Sequence, residues 1–131
     1  MKILNLEQLR NTERNVKFNA GNSIRFLLES DGMGFSFHQT EMKKSKHPFV
    51  WHYKYHKECC YCIQGFAILT NLETGDEHEI RVGDMYVLDS HTKHSFIPLE
   101  DTILVSVFNP PITGNEIHQK DGSYLIKNKN K

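Results

Sequence analysis

Two stretches constrain this chain more than any others: WHYKYHKECCYCIQG at 51–65 and GDMYVLDSHTKHSFIP at 83–98. The first is a β run closing on Gly65; the second opens on Gly83 and passes through a strand, a turn and another strand. Side chains alternate faces along a strand, so Glu58, Cys60 and Cys62 share one face while Cys59, Tyr61 and Ile63 share the other. Tyr86 and Leu88 likewise lie opposite Met85 and Val87. If the Glu58 face points into a small barrel, its carboxyl must be paired, protonated or bound to a cation, because an isolated buried charge costs too much. A carboxylate, the His94 imidazole and the Tyr86 phenol suit a first-row metal such as iron or zinc, with positions left open for substrate. The same letters also fit an ordinary barrel with a hydrogen-bonded Glu58 and histidines on its surface.

Taken in order, residues 2–6 read as a short edge strand, followed by a helical turn capped by Asn5. Glu7, Arg10, Glu13 and Arg14 read as a solvated face. NAGN (19–22) is a turn, SIRFLLES a strand, and DGMG (31–34) a hairpin-type turn. In FSFHQTEM (35–42), Ser36, His38 and Thr40 share a face that is either a polar pocket wall or plain exterior; periodicity does not choose. KKSKHP is a basic loop before the strand FVWHYKY. FAILTNLETGDEHEIRV is strand, turn, strand, with Asp76, Glu77 and Glu79 facing solvent. EDTILVSVFNPP is an apolar strand stopped by Pro110 and Pro111. The rest is a polar tail, with residues 127–131 expected to be disordered. Many short strands with regular turn signals give an all-β fold, a single antiparallel barrel over 1–126 with little helix.

Sixteen basic and sixteen acidic residues cancel, so nothing calls for nucleic acid or a membrane surface. No apolar run approaches the length of a membrane span, and MKILNLEQLR lacks a signal-peptide core, so a cytoplasmic protein is expected. The three cysteines crowd into 59–62. Neighbours on one strand make poor disulfide partners, and zinc-binding cysteines usually sit on turns, so reduced thiols are expected.

Glu58-x6-Gly65 and the spacing from Gly83 to His94 resemble the two-part signature of the cupin barrel. Lys54 stands where that signature has its second histidine, and Asp89 and His91 replace the Pro and Gly of its turn. A three-His-one-Glu metal site is therefore not available. Over about Leu4 to Tyr124 the chain resembles the ectoine synthase family. The resemblance rests on NLEQLRNTERNV, DGMGFSFHQT, YKYHKECCYCIQG, GDMYVLDSHTKH and VFNPPITGNEIHQKDGSY.

That resemblance implies a cupin homodimer that closes N-γ-acetyl-2,4-diaminobutyrate, a small-molecule substrate, to the cyclic amidine ectoine with loss of water. It also implies a divalent metal, taken as Fe(II), held by Glu58, Tyr86 and His94. Substrate contacts carry over to Arg25, Thr40, Phe108, Glu116 and His118, with Tyr86, Glu116 and His118 in catalysis. Arg25 suits the carboxylate, and Glu116 and His118 an acid/base pair on a C-terminal lid. The Trp that usually follows the family's Gly-Asn is missing, and Ser106 replaces a Cys. These departures keep two alternatives open: a relative acting on another small amide or amino acid, and a non-catalytic cupin that binds a small ligand.

Overall fold

The computed structural model describes residues 1–116 and 123–124. One helical turn, α1 (Leu6–Arg10), precedes ten strands: β1 (Asn15–Phe18), β2 (Gly21–Leu27), β3 (Ser36–Met42), β4 (Phe49–Trp51), β5 (Lys57–Gln64), β6 (Phe66–Asn71), β7 (Glu77–Arg81), β8 (Met85–Leu88), β9 (His94–Pro98) and β10 (Thr102–Asn109). They form a six-stranded sheet in the order β1-β2-β3-β10-β5-β8, facing a four-stranded one ordered β4-β9-β6-β7. Every pairing is antiparallel. This is the expected all-β barrel, with the alternate residues of both sheets closing over a shared core.

The alternation decides what goes inside. Cys60, Cys62, Leu104, Leu88, Phe96, Ala67 and Ile80 are buried, while Tyr61, Ile63, Met85 and Val87 on the intervening positions are exposed. Gly65 is where the chain leaves one sheet for the other. Its φ is +94°, and a Cβ there would sit 2.5 Å from the Asp101 carbonyl oxygen, so no other residue fits. The signature's glycine is thus a steric requirement of the corner. The same logic explains an oddity in the second stretch. His91 takes φ +57°, the left-handed conformation for which the pattern ordinarily supplies a glycine, at a cost of roughly 1 kcal/mol. The loop repays it through two bonds: His91 Nδ1 lies 3.0 Å from the Tyr53 carbonyl, and its own carbonyl 2.8 Å from His52 Nε2. His91 braces the loop.

Three expectations need correction. Residues 2–5 form no strand, because the backbone turns directly into α1, whose N-cap Asn5 accepts from the Glu7 and Gln8 amides. Arg10 and Arg14 are not merely solvated. Arg10 reaches the Glu41 carboxylate (2.9 Å), and Arg14 bonds Asp31 (2.8 Å) and the Phe26 carbonyl. Charge pairs invisible to periodicity thereby fasten the N-terminus to the sheet. The segment after β10 is not simply a polar tail either, since Ile112, Ser123 and Tyr124 are buried. His118 and the stretch 127–131 lie outside the described residues. Among the described residues no helix is long and apolar enough to cross a membrane.

Candidate active site

The barrel holds a cavity of about 40 Å³ with mixed walls: Ser23, His38, Thr40, Glu58, Cys60, Tyr86, Ser106 and Tyr124 bring polar groups, and Phe18, Met42, Trp51, Leu104, Phe108 and Ile112 apolar ones. The β3 face left undecided by periodicity is therefore the pocket wall: Ser36, His38 and Thr40 point inward beside Met42.

Glu58 and Tyr86 come from neighbouring strands. The register sets Cys60 against Tyr86 and Glu58 against Leu88, one pair further along, so both polar tips enter the cavity from the same sheet. Burial pushes the Glu58 carboxyl up to about 8, only partly offset by the Cys60 thiol. Burial also holds the Tyr86 phenol well above its ordinary value. Both groups are thus kept neutral unless a cation arrives.

His94 enters from the other sheet, 1% exposed. Its ring lies 6.5 Å from that of Tyr86 and 6.1 Å from that of Tyr53, centroid to centroid. Tyr86 forms a partition: it walls the cavity on one side and, on the other, a groove that His94 also lines. The His94 Nδ1 is 3.1 Å from the Thr92 carbonyl and donates to it. Nε2 therefore carries a lone pair, and it is buried with no hydrogen-bond partner. A backbone-anchored imidazole with a bare, buried nitrogen is the arrangement that metal-ligating histidines use. Among the described residues no three His, Cys, Asp or Glu side chains gather closely enough to hold an ion by themselves. A metal here needs the phenol. Carboxylate, phenol and imidazole together fit a divalent first-row ion in their chemistry. A three-cysteine zinc site is excluded by direction, because Cys59 faces away from the buried Cys60 and Cys62.

Arg25 on β2, two residues from the cavity-lining Ser23, is 3% exposed. One of its terminal nitrogens donates to the Gly114 carbonyl at 3.2 Å, and its Nε has no partner. Its β3 neighbour in register is His38, whose imidazole is held down to about 3 by burial and by that guanidinium. The Ser36 hydroxyl accepts from the Ile112 amide (3.0 Å) and lies 2.9 Å from His38 Nε2, tying the segment after β10 to the pocket wall. Phe108 packs its ring edge-on against His38 at 5.4 Å and Tyr53 at 5.1 Å.

Glu116 is placed differently from a free acid/base group. Its oxygens take the Thr113 amide (2.7 Å), the Thr113 hydroxyl (2.8 Å) and the Gly114 amide (2.9 Å). Burial would raise its carboxyl, but these donors outweigh it and hold it below the usual range. Glu116 thus fixes the loop whose Gly114 carbonyl holds Arg25. His118 lies outside the described residues.

Sequence reasoning passed over Tyr53, Cys60 and His56 as site residues. Tyr53 and Cys60 line the cavity, and His56 is 2% exposed with an unpartnered Nδ1 against Phe108 and Tyr124. For Cys60 the signal was present, since it shares the Glu58 face. His56 and Tyr53 sit outside any regular strand, where alternation is silent.

Fold and site together define a cupin-type barrel with a carboxylate, a phenol and an imidazole drawn from its two sheets. The ectoine synthase family profile matches residues 1–128. An L-ectoine synthase from a Marinomonas species is 45% identical over 123 residues, covering 92% of this chain and 95% of the relative. One from Sphingopyxis alaskensis is 41% identical over 124 residues, covering 95% and 90%. The crystal structure of ectoine synthase from P. lautus superposes with a TM-score of 0.86 at 37% identity, covering 96% of this chain and 91% of that one. The chain belongs to the ectoine synthase family.

Proposed function

We propose that this chain closes N-γ-acetyl-L-2,4-diaminobutyrate to the cyclic amidine ectoine, a hydro-lyase reaction of ectoine synthase type. Family membership over residues 1–128 supports this, and one structural observation carries it: a small interior cavity walled by Glu58 and Tyr86, both kept neutral by burial, with the buried Arg25 guanidinium two residues from its Ser23 wall. The reaction joins a substrate amine to its own acetamide carbonyl and expels water. A divalent metal, when bound, would act as a Lewis acid on that carbonyl; Glu58, Tyr86 and His94 are the residues proposed to hold it, with Fe(II) as the ion.

The rest falls to this chain's own groups. Arg25, whose Nε lacks a partner, grips the substrate carboxylate. Its grip is set by the Gly114 carbonyl and hence by Glu116. Thr40 and Phe108 fix the folded-back substrate chain, removing in advance the entropy of bringing its ends together. A neutral His38 can accept a hydrogen bond from the amine without competing for its charge. Tyr86, Glu116 and His118 remain the proposed catalytic set. In this role Glu116 gives up a bond to its own loop when substrate enters.

A cavity of about 40 Å³ holds roughly one water, far less than an acetylated diamino acid. Substrate entry therefore requires wall residues such as Ile112 and Tyr124 to give way. This supports a domain spanning 1–126 whose C-terminal part is a lid, with 127–131 beyond it. A homodimer is part of the proposal, supported by the apolar outer face of the β5–β8 edge, where Tyr61, Ile63, Met85 and Val87 are exposed. So is a cytoplasmic location, in keeping with three free thiols.

Ser23 and Ser106, both on the cavity wall, favour a second reading: a family member with a different small amide or amino acid as substrate. Anaerobic incubation of the iron-loaded protein with N-γ-acetyl-2,4-diaminobutyrate decides. Ectoine formation is expected; full metal occupancy without ectoine would favour the second reading.

A further inference from the structure

Cys60 is not explained by packing alone. It is 2% exposed, faces the cavity, and sits directly opposite Tyr86 in the β5–β8 register. Directly opposed residues in an antiparallel pair hold their Cβ atoms about 4.5–5.5 Å apart, within reach of a thiol. Glu58 is two residues away on the same face, on the same side of the sheet. Cys60, Glu58 and Tyr86 all line the one cavity of about 40 Å³, which sets the thiol beside both the phenol and the carboxyl. The other inward cysteine behaves differently. Cys62 donates to the Gln64 carbonyl (3.3 Å) and is not part of the cavity wall.

We infer that Cys60 is a positioning residue, a thiol strut that orients the Tyr86 phenol and the Glu58 carboxyl toward a shared ion. This deepens the proposed metal site and rests on it. A phenol on a strand can swing about two side-chain bonds, and Tyr86 has the cavity on one side and the groove of His94 on the other. A thiol on the cavity side that bonds the phenol oxygen favours the orientation facing the cavity. A valine at this position would keep the volume and the apolar packing but lose the contact. A serine would keep a donor.

The test uses the full-length chain loaded with iron and oxidised to the ferric state, in which a bound phenolate gives a visible charge-transfer band. Three proteins are compared: wild type, Cys60→Val and Cys60→Ser, with Cys62→Ala as control. Losing a hydrogen bond to the phenolate raises its electron energy, so the Cys60→Val band should move to longer wavelength. Ferrous-iron affinity should fall about 10–100-fold, the usual cost of removing a group that orients a metal ligand. Cys60→Ser should restore most of both, and Cys62→Ala should change neither. A Cys60→Val band and affinity equal to wild type would overturn the inference while leaving the metal site standing. No phenolate band in the wild type would instead overturn Tyr86 as a ligand, and the inference with it. Far-ultraviolet circular dichroism separates either result from misfolding.

Discussion

The N-terminal clasp and the barrel interior treat charge in opposite ways. In the clasp both Asp31 and Glu41 are matched. Asp31 receives Arg14 and Lys2, each at 2.8 Å, and the Leu28 amide at 2.8 Å, while Glu41 receives Arg10. In the interior, Glu58 is buried without a cation, Arg25 has an unpaired Nε, and His94 keeps a bare Nε2. Buried polar groups left unsatisfied cost about 1–3 kcal/mol each. A fold that pairs its charges at one end and leaves buried polar atoms without partners at the other is built to bind something there. The clasp serves stability; the interior gives stability up for a site.

The largest expected effect breaks the interior. Glu58→Gln and His94→Gln should each lose bound metal and reduce turnover by about 10³-fold, the several kcal/mol a Lewis acid contributes. The metal-free variants should be as stable as the metal-free wild type, or more so, because a costly buried group is gone. Metal analysis, turnover and denaturant melts check this together, and a variant that unfolds would place Glu58 with the clasp instead.

Next comes His38, whose imidazole falls from 6.5 to about 3 on folding. Between those values the unfolded chain takes up a proton that the folded chain refuses. Stability therefore drops as pH falls through this window, by about 3 kcal/mol down to pH 4 and on the order of 5 kcal/mol over the whole of it. His38→Gln should flatten that slope in denaturant melts run from pH 7 to pH 4. An unchanged slope would mean that His38 is open to protonation in the fold.

The clasp gives smaller numbers with the opposite signature. Asp31→Asn should cost about 1–3 kcal/mol, since it weakens charge-assisted bonds to Arg14 and Lys2, and leave turnover per folded molecule untouched. The Asp31 carboxyl is held well below its usual range, first by Arg14. Its contribution is thus present above about pH 4 and lost on acidification below it. Smallest is Arg10→Ala, at or below about 1 kcal/mol for a partly exposed pair, again measured by melts against unchanged activity.

Much of the interior was legible because strands write it in alternate letters. Glu58, Cys60, Tyr86 and Leu88 face inward as their period-two spacing requires, and Gly65 marks the corner where only a glycine fits. The clasp was not legible, because the pairing of Arg14 with Asp31 or Arg10 with Glu41 depends on which strands meet, and charge spacing carries no record of that. The segment after β10 was misread for a related reason. Its letters are polar, and only the barrel mouth explains why Ile112 and Tyr124 turn inward. The family pattern singled out Glu116, but its bonds to Thr113 and Gly114 could be seen only in three dimensions.

The central claim is that the unmatched groups of the interior await a metal ion, and thermal stability with and without that ion tests it most directly. Under anaerobic conditions, ferrous iron at about a hundred times its dissociation constant should stabilise the wild type by ~2.7 kcal/mol. That corresponds to a rise in Tm of roughly 10 °C for a domain of this size. Glu58→Gln should show no such rise at the same iron concentration. Equal shifts in the two proteins, or none in the wild type, would contradict the account.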